Sequence, residues 1–107
     1  MNRPEVLNVL GKSYRITYVD KPSDVDMYKR SSLWGQCDYW TRTIRIYDGG
    51  RCDEDLWHTL IHEVLHAIGS ELKLRIGKDE NHDELDLLAL AITDVLFRNS
   101  LLSVPTP

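Results

Sequence analysis

The chain has 107 residues, of which 42% are hydrophobic, and its formal net charge is −4. This length and apolar content suffice for one domain, which we expect to span residues 1–102, with residues 103–107 as a frayed tail. The acidic balance argues against a nucleic-acid partner, because such proteins usually present a basic surface. No apolar run is long enough to cross a membrane and none resembles a signal peptide, so we expect a cytoplasmic protein.

The first half of the chain has the alternation of apolar and polar side chains that is typical of β-strands. Strands are predicted at residues 5–10, 14–19, 36–40 and 43–48. Gly11-Lys12 and Thr41-Arg42 are the predicted hairpin turns. In the polar stretch between the hairpins, Ser23 is predicted to cap a short helix that reaches about Lys29.

Two amphipathic helices follow. The first is predicted to begin near Asp53, where acidic residues meet the positive end of the helix dipole, and to end before Gly69. Its core face is predicted to comprise Leu56, Leu60, Val64 and Ala67 with Trp57, Ile61, Leu65 and Ile68. Gly77 is the expected turn, and the second helix is predicted over residues 82–99. Its predicted core positions are Leu85, Leu88, Ala89, Ile92, Val95 and Leu96.

Together these patterns predict an α+β domain in which a small, mostly antiparallel sheet has both helices packed on one side. The two cysteines, Cys37 and Cys52, have no C-x-x-C spacing and are expected to be buried free thiols. A disulfide or a second metal site is the alternative for them.

The most informative feature is the H-E-x-x-H motif at residues 62–66, inside the first predicted helix. Residues four apart lie on one helical face, so His62 and His66 can direct their ring nitrogens at one zinc ion. Glu63 lies about 100° round the helix and is expected to act as a general base rather than as a ligand.

A catalytic zinc site needs a third protein ligand. His58 cannot supply it together with His62 and His66, because that row spans about 12 Å along the helix axis while zinc–nitrogen bonds are about 2 Å long. We expect His58 to be a partly exposed neighbour of the site. His82 lies three residues before the core position Leu85 and extends the apolar stripe of the second helix, so it is the preferred third ligand.

Other side chains compete with His82 for this role. Glu84 is the main alternative, since it lies in line with apolar positions of the second helix. Glu80, Asp83 and Asp86 are further candidates. Asp83 and Asp86 have the position of first-turn charges, which favour the start of a helix. The alternative role for His82 is to cap the second helix without binding a metal.

The run from Thr59 to Ile68 resembles the active-site helix of the zincin metallopeptidases. It is most similar to the small metallopeptidases encoded by phages and prophages, distant relatives of the SprT-like and ImmA/IrrE-type groups. Three further stretches fit this resemblance: residues 35–46, 87–91 and 98–99. Many relatives supply a glutamate ligand from the later helix, whereas His82 stands in the corresponding place here.

The resemblance implies a minimal zincin-like fold and a zinc-dependent peptidase, in the host cytoplasm if the chain is phage-encoded. Zinc would activate water, and Glu63 would take the proton of that water and pass it to the leaving amine. A protein or peptide substrate would lie along an edge strand, here residues 43–48. Tyr39 or Tyr47 is a candidate donor to the oxyanion.

Two other functions stay open. One is a non-catalytic, metal-stabilised interaction module of phage origin, because the chain is small for a peptidase and has little room for subsite walls. The other is a metal-dependent nuclease of the YbeY type, which has three histidines but no glutamate after the first. The presence of Glu63 and the net charge of −4 both count against the nuclease.

Overall fold

The computed structural model describes residues 3–76 and 82–102. The elements are β1 (Val6–Val9), β2 (Lys12–Val19), β3 (Gly35–Asp38), β4 (Thr43–Tyr47), α1 (Asp53–Leu72) and α2 (His82–Arg98). The four strands form one sheet in the order β1-β2-β4-β3. β2 and β4 pair in parallel, and the other two pairs are antiparallel. The predicted α+β class with a mostly antiparallel sheet is therefore confirmed.

Both predicted hairpins are present. The β1–β2 turn lies one residue earlier than predicted, because Leu10 (φ 53°) and Gly11 (φ 82°) occupy its two central positions. Two consecutive positive φ angles are the geometry of a type I′ turn, whose twist matches that of the flanking strands. Arg42, also at positive φ, ends the turn between β3 and β4.

The helix predicted over residues 23–29 is wrong. Only Pro22–Asp24 form a short 3-10 turn, and no side chain caps it. The buried carboxylate of Asp26 accepts hydrogen bonds from the backbone N–H groups of Tyr28 (3.0 Å) and Arg30 (3.2 Å). These bonds satisfy the backbone outside a helix, and the first of them is the main reason that the pKa of Asp26 lies well below its usual range.

The core lies between the sheet and α1. Alternate residues of β2 and β4 point at the helix, so that one face of the sheet is apolar and the other is polar. The buried residues of this core are Val9, Tyr14, Ile16, Ile44, Ile46, Leu56, Leu60 and Ala67. The hydroxyl of Tyr14 donates to Glu71 on α1 at 2.7 Å, which links the sheet to the last turns of the helix.

The predicted end of the first helix at Gly69 is wrong, because α1 continues to Leu72 and ends with Lys73 in the left-handed region (φ 56°). Gly69 is instead needed for close packing of the chain that follows. A Cβ atom there would lie 3.0 Å from the Ile76 side chain and 3.1 Å from its carbonyl oxygen. The expected turn at Gly77 and the expected tail at residues 103–107 lie outside the described residues.

α2 packs chiefly against α1. Leu85, Ala89 and Thr93 form its buried row, whereas Leu88 and Val95 are 42% and 53% exposed. These last two were predicted to be core positions and are not, because α2 contacts its neighbour along a narrow stripe. In the part of the chain that the structure describes, neither helix combines the length and apolarity needed to cross a membrane.

The two cysteines are free thiols, as predicted, but they are not buried as predicted. Cys52 is exposed at the residue that precedes α1, and Cys37 is half-buried on β3. Burial raises the pKa of the Cys37 thiol to about 12, which keeps it protonated and weakly nucleophilic.

Candidate metal centre

The structure brings together the three histidines that the sequence nominated as ligands. α1 carries His62 and His66 one turn apart, and His82 reaches them from the first residue of α2. The Nε2 atoms of His62 and His66 are 3.2 Å apart. One ring nitrogen from each of the three histidines lies within 4.8 Å of the other two. Three imidazoles from two helices therefore converge on one point.

This donor set fits zinc. Two nitrogens bound to one tetrahedral zinc at about 2.0–2.1 Å are about 3.3 Å apart, close to the separation seen for His62 and His66. Burial lowers the pKa of His62, and burial together with the neighbouring histidines lowers the pKa of His66 to about 4. Both imidazoles are therefore neutral near pH 7, which is the form that binds metal.

The other candidate ligands lie elsewhere or outside the described residues. Glu84 and Asp83 are exposed, and neither belongs to the converging group. Glu80 lies outside the described residues. His58 is a part-buried neighbour, as predicted, with its Nε2 atom 3.3 Å from a carboxylate oxygen of Asp86 rather than within the cluster.

Asp86 has a role that the sequence did not predict, since it was considered only as a competing metal ligand and as a first-turn charge of the second helix. Its Oδ1 atom accepts a hydrogen bond from Nδ1 of His62 at 2.8 Å. Burial opposes its ionisation, but the hydrogen bond from His62 and the proximity of His58 outweigh this and lower the pKa of Asp86. The carboxylate fixes the tautomer of His62 and leaves the Nε2 lone pair for a metal. Because Asp86 lies four residues after His82, their shared helix face was the available signal.

We expect Asp86→Ala to weaken zinc binding by about 10- to 100-fold, because His62 would lose the partner that orients its ring. Competition against a chromophoric chelator measures this affinity. Asp83→Ala is the matched control, since it removes the same charge from an exposed residue three positions earlier in α2. An equal loss of affinity in both variants would show that net charge, not orientation of His62, is responsible.

Glu63 is only 7% exposed, and its Oε2 atom lies 4.0 Å from Nε2 of His62. Burial raises the pKa of this carboxyl group to about 8. Gly35, at the start of β3, makes room for it. A Cβ atom on Gly35 would lie 2.7 Å from the Thr59 methyl group and 3.1 Å from the Glu63 side chain. The absence of a side chain at residue 35 thus lets the sheet edge lie directly against the carboxylate.

A cavity of about 700 Å³ opens onto the three histidines and Glu63. α1 forms one wall, and β3 with the residues that flank it forms the other. The prediction that residues 43–48 form the edge strand beside the site is wrong, because β4 is paired on both sides, with β2 and with β3. Among the described strands, β3 borders the cavity and pairs on one side only, with β4.

Comparisons of the chain with protein-family models, with curated proteins and with solved structures found no match. The function is therefore inferred from the chemistry of the site: three converging imidazoles, a buried carboxyl group and an adjoining cavity.

Proposed function

We propose that this protein is a zinc-dependent peptidase in which His62, His66 and His82 bind the metal and Glu63 is the general base. The observation that carries the proposal is the convergence of three imidazole nitrogens within 4.8 Å, beside a buried carboxylate, on one cavity. Zinc, when bound, supplies Lewis-acid polarisation of a carbonyl and lowers the pKa of water. The resemblance of the H-E-x-x-H helix to that of the zincins supports the same function.

Glu63 moves the proton in this mechanism. The raised pKa of its buried carboxyl group favours proton uptake. A metal cation held beside His62 would lower this pKa from about 8 toward 7. A carboxyl group that titrates near pH 7 can both accept a proton from water and return it to a leaving amine.

β3 is the proposed docking strand for the substrate backbone. Gly35–Asp38 form an edge of the sheet, and Gly35 and Cys37 line the cavity. An extended peptide that pairs with this edge would be aligned by main-chain hydrogen bonds, which do not depend on the peptide sequence. The side chain of Gln36 donates to Asp26 at 3.0 Å and joins β3 to the buried carboxylate of the preceding loop. This contact favours a pre-formed edge.

Tyr39 is the better of the two tyrosine candidates for an oxyanion donor. It lines the cavity next to Cys37, whereas the ring of Tyr47 packs against Trp34 and is not among the residues that line it. Burial raises the pKa of Tyr39 to about 12, so the phenol retains its proton. A protonated phenol can donate a hydrogen bond to negative charge that develops on a carbonyl oxygen.

We expect Tyr39→Phe to lower kcat by up to about 10²-fold with a smaller change in KM, because the lost bond forms only in the transition state. Steady-state kinetics on a cleaved peptide provide the measurement. Tyr28→Phe, which alters an exposed tyrosine that does not line the cavity, is the control. A change in KM alone would assign Tyr39 to substrate binding instead.

The proposed function is tested by incubating zinc-loaded protein with a mixture of unstructured peptides and detecting cleavage by mass spectrometry. We expect new termini that disappear after chelation and return when zinc is restored. A protein that binds zinc stoichiometrically but cleaves nothing would favour the metal-stabilised interaction module. We place the activity in the cytoplasm, where the free thiols of Cys37 and Cys52 stay reduced.

A further inference from the structure

The cavity contains a guanidinium group that the proposed chemistry does not use. Arg51, which lies between β4 and α1, lines the cavity together with Trp34. Its guanidinium carbon lies 4.6 Å from the centre of the Trp34 ring, which is cation–π distance. Trp34 is 64% exposed, so the ring and the guanidinium together form an accessible wall.

The guanidinium of Arg51 is positioned by neutral acceptors. It donates to the carbonyl oxygens of Tyr47 (3.0 Å) and Asp55 (2.9 Å) and to the hydroxyl of Thr59 (2.7 Å). These bonds occupy three of its five N–H donors, so two have no acceptor among the described residues. The side chain is therefore fixed in place without being fully satisfied.

The positive charge of Arg51 is also not paired directly with a carboxylate of the described residues. No carboxylate oxygen of the described residues lies within 4.0 Å of it, although Asp55 is near enough to raise its pKa. Burial is the larger effect and lowers that pKa. Arg3, Arg30, Arg42 and Arg98 each pair directly with a carboxylate. Arg45 resembles Arg51 in donating to backbone carbonyl oxygens, those of Val25 and Asp24, but it does not line the cavity.

The position of Arg51 relates it to the proposed reaction centre. Its partner Thr59 lies one helical turn before Glu63, which is about 5–6 Å along the axis of α1. An extended peptide advances about 3.3 Å per residue. A group in contact with Arg51 would therefore belong to a residue one or two positions from the cleaved bond.

We infer that Arg51, backed by Trp34, recognises a carboxylate group of the substrate peptide. This inference rests on the proposed peptidase function. A guanidinium with free donors in a partly desolvated cavity binds a carboxylate through charge-assisted hydrogen bonds, which are stronger than bonds to neutral groups. The carboxylate has two possible sources: an Asp or Glu side chain, or the free C-terminus of the peptide.

The test measures binding rather than turnover. Hexapeptides of alanine and serine, acetylated and amidated, carry one glutamate at each position in turn, and a matched series carries glutamine. Both series are titrated by calorimetry into zinc-loaded and metal-free Glu63→Gln protein, which cannot consume them. We expect at least one glutamate peptide to bind about tenfold tighter than its glutamine partner. Versions with a free C-terminus identify the terminal carboxylate as the source if only they show the effect.

Arg51→Gln in the same background should abolish the preference, and Arg51→Lys should retain part of it. Arg15→Gln is the matched control, because it removes the same charge from an exposed arginine of β2 and should leave the preference intact. If Arg51→Gln fails to fold, the Nε–H resonance of Arg51 and the indole resonance of Trp34 provide a second readout. They should shift with the glutamate peptides and not with the glutamine peptides.

Equal binding of all the peptides, including those with a free C-terminus, would overturn the inference, and so would a preference that survives Arg51→Gln. A preference lost equally in Arg15→Gln would assign it to net charge and would overturn it as well. The inference and the proposed function fail separately. Cleavage of peptides without any preference for a side-chain or terminal carboxylate removes only the role of Arg51. Carboxylate binding through Arg51 without any cleavage removes only the peptidase function.

Discussion

Replacement of Glu63 by glutamine is expected to reduce peptide hydrolysis by about 10²- to 10⁴-fold while zinc binding and fold are preserved. The amide is nearly isosteric with the carboxyl group and cannot accept a proton from water. The side chain is 9% exposed, and its Oε2 atom lies 4.0 Å from Nε2 of His62, so we expect the change to remove a proton acceptor and not a ligand. The burial of a neutral amide also costs less than the burial of a carboxylate.

Three measurements on the Glu63→Gln protein test this expectation. Single-turnover kinetics give the loss of hydrolysis, zinc content gives the metal binding, and the melting temperature shows whether the fold is preserved. Glu71→Gln is a useful control, because it changes a carboxylate of the same helix that bonds Tyr14 and Arg42 away from the three histidines. A Glu63→Gln protein that cleaves as fast as the unaltered chain would refute the general-base role. Loss of zinc in this variant would instead place Glu63 among the ligands.

Removal of the third ligand is expected to have the largest effect on stability. Binding of zinc to the native state alone adds about 4 kcal/mol when free zinc exceeds its dissociation constant 1,000-fold. For a domain of this size that corresponds to a rise in melting temperature on the order of 10–20 °C. His82 joins the start of α2 to the middle of α1, so His82→Ala should reproduce much of the loss caused by chelation and should no longer respond to chelator.

Glu84→Ala is the matched control for His82→Ala, since it changes an exposed residue in the same turn of α2. We expect Glu84→Ala to retain both its zinc and its full response to chelator. The opposite pattern, with tight zinc in His82→Ala and none in Glu84→Ala, would transfer the third ligand to the glutamate. Differential scanning fluorimetry with and without chelator distinguishes the two cases.

The sequence was sufficient to predict features that depend on local chemistry. The start of α1 at Asp53 follows from the interaction of three acidic residues with the helix dipole, and the β1–β2 hairpin follows from Gly11. The nomination of His62 and His66 needed only the helical period. The structure brings His82 within reach of both, although His82 is exposed while Leu85, three residues later, is fully buried.

Features that depend on contacts between distant segments were not predictable in the same way. Glycine is the residue type that often ends a helix, but Gly69 instead leaves space for Ile76, which packs against it. The identity of the edge strand depends on the parallel pairing of β2 with β4, which no hairpin signal encodes. Asp86 acquires its role only when α2 lies against α1, since its partner His62 is on the other helix.

The most direct test of the central claim is an anomalous difference map, recorded at the zinc absorption edge from crystals of zinc-loaded protein. We predict one strong peak per chain, in contact with ring nitrogens of His62, His66 and His82, and with Glu63 beside it but not bound to it. Zinc bound by other residues, or no ordered zinc in this cavity at stoichiometric loading, would contradict the account.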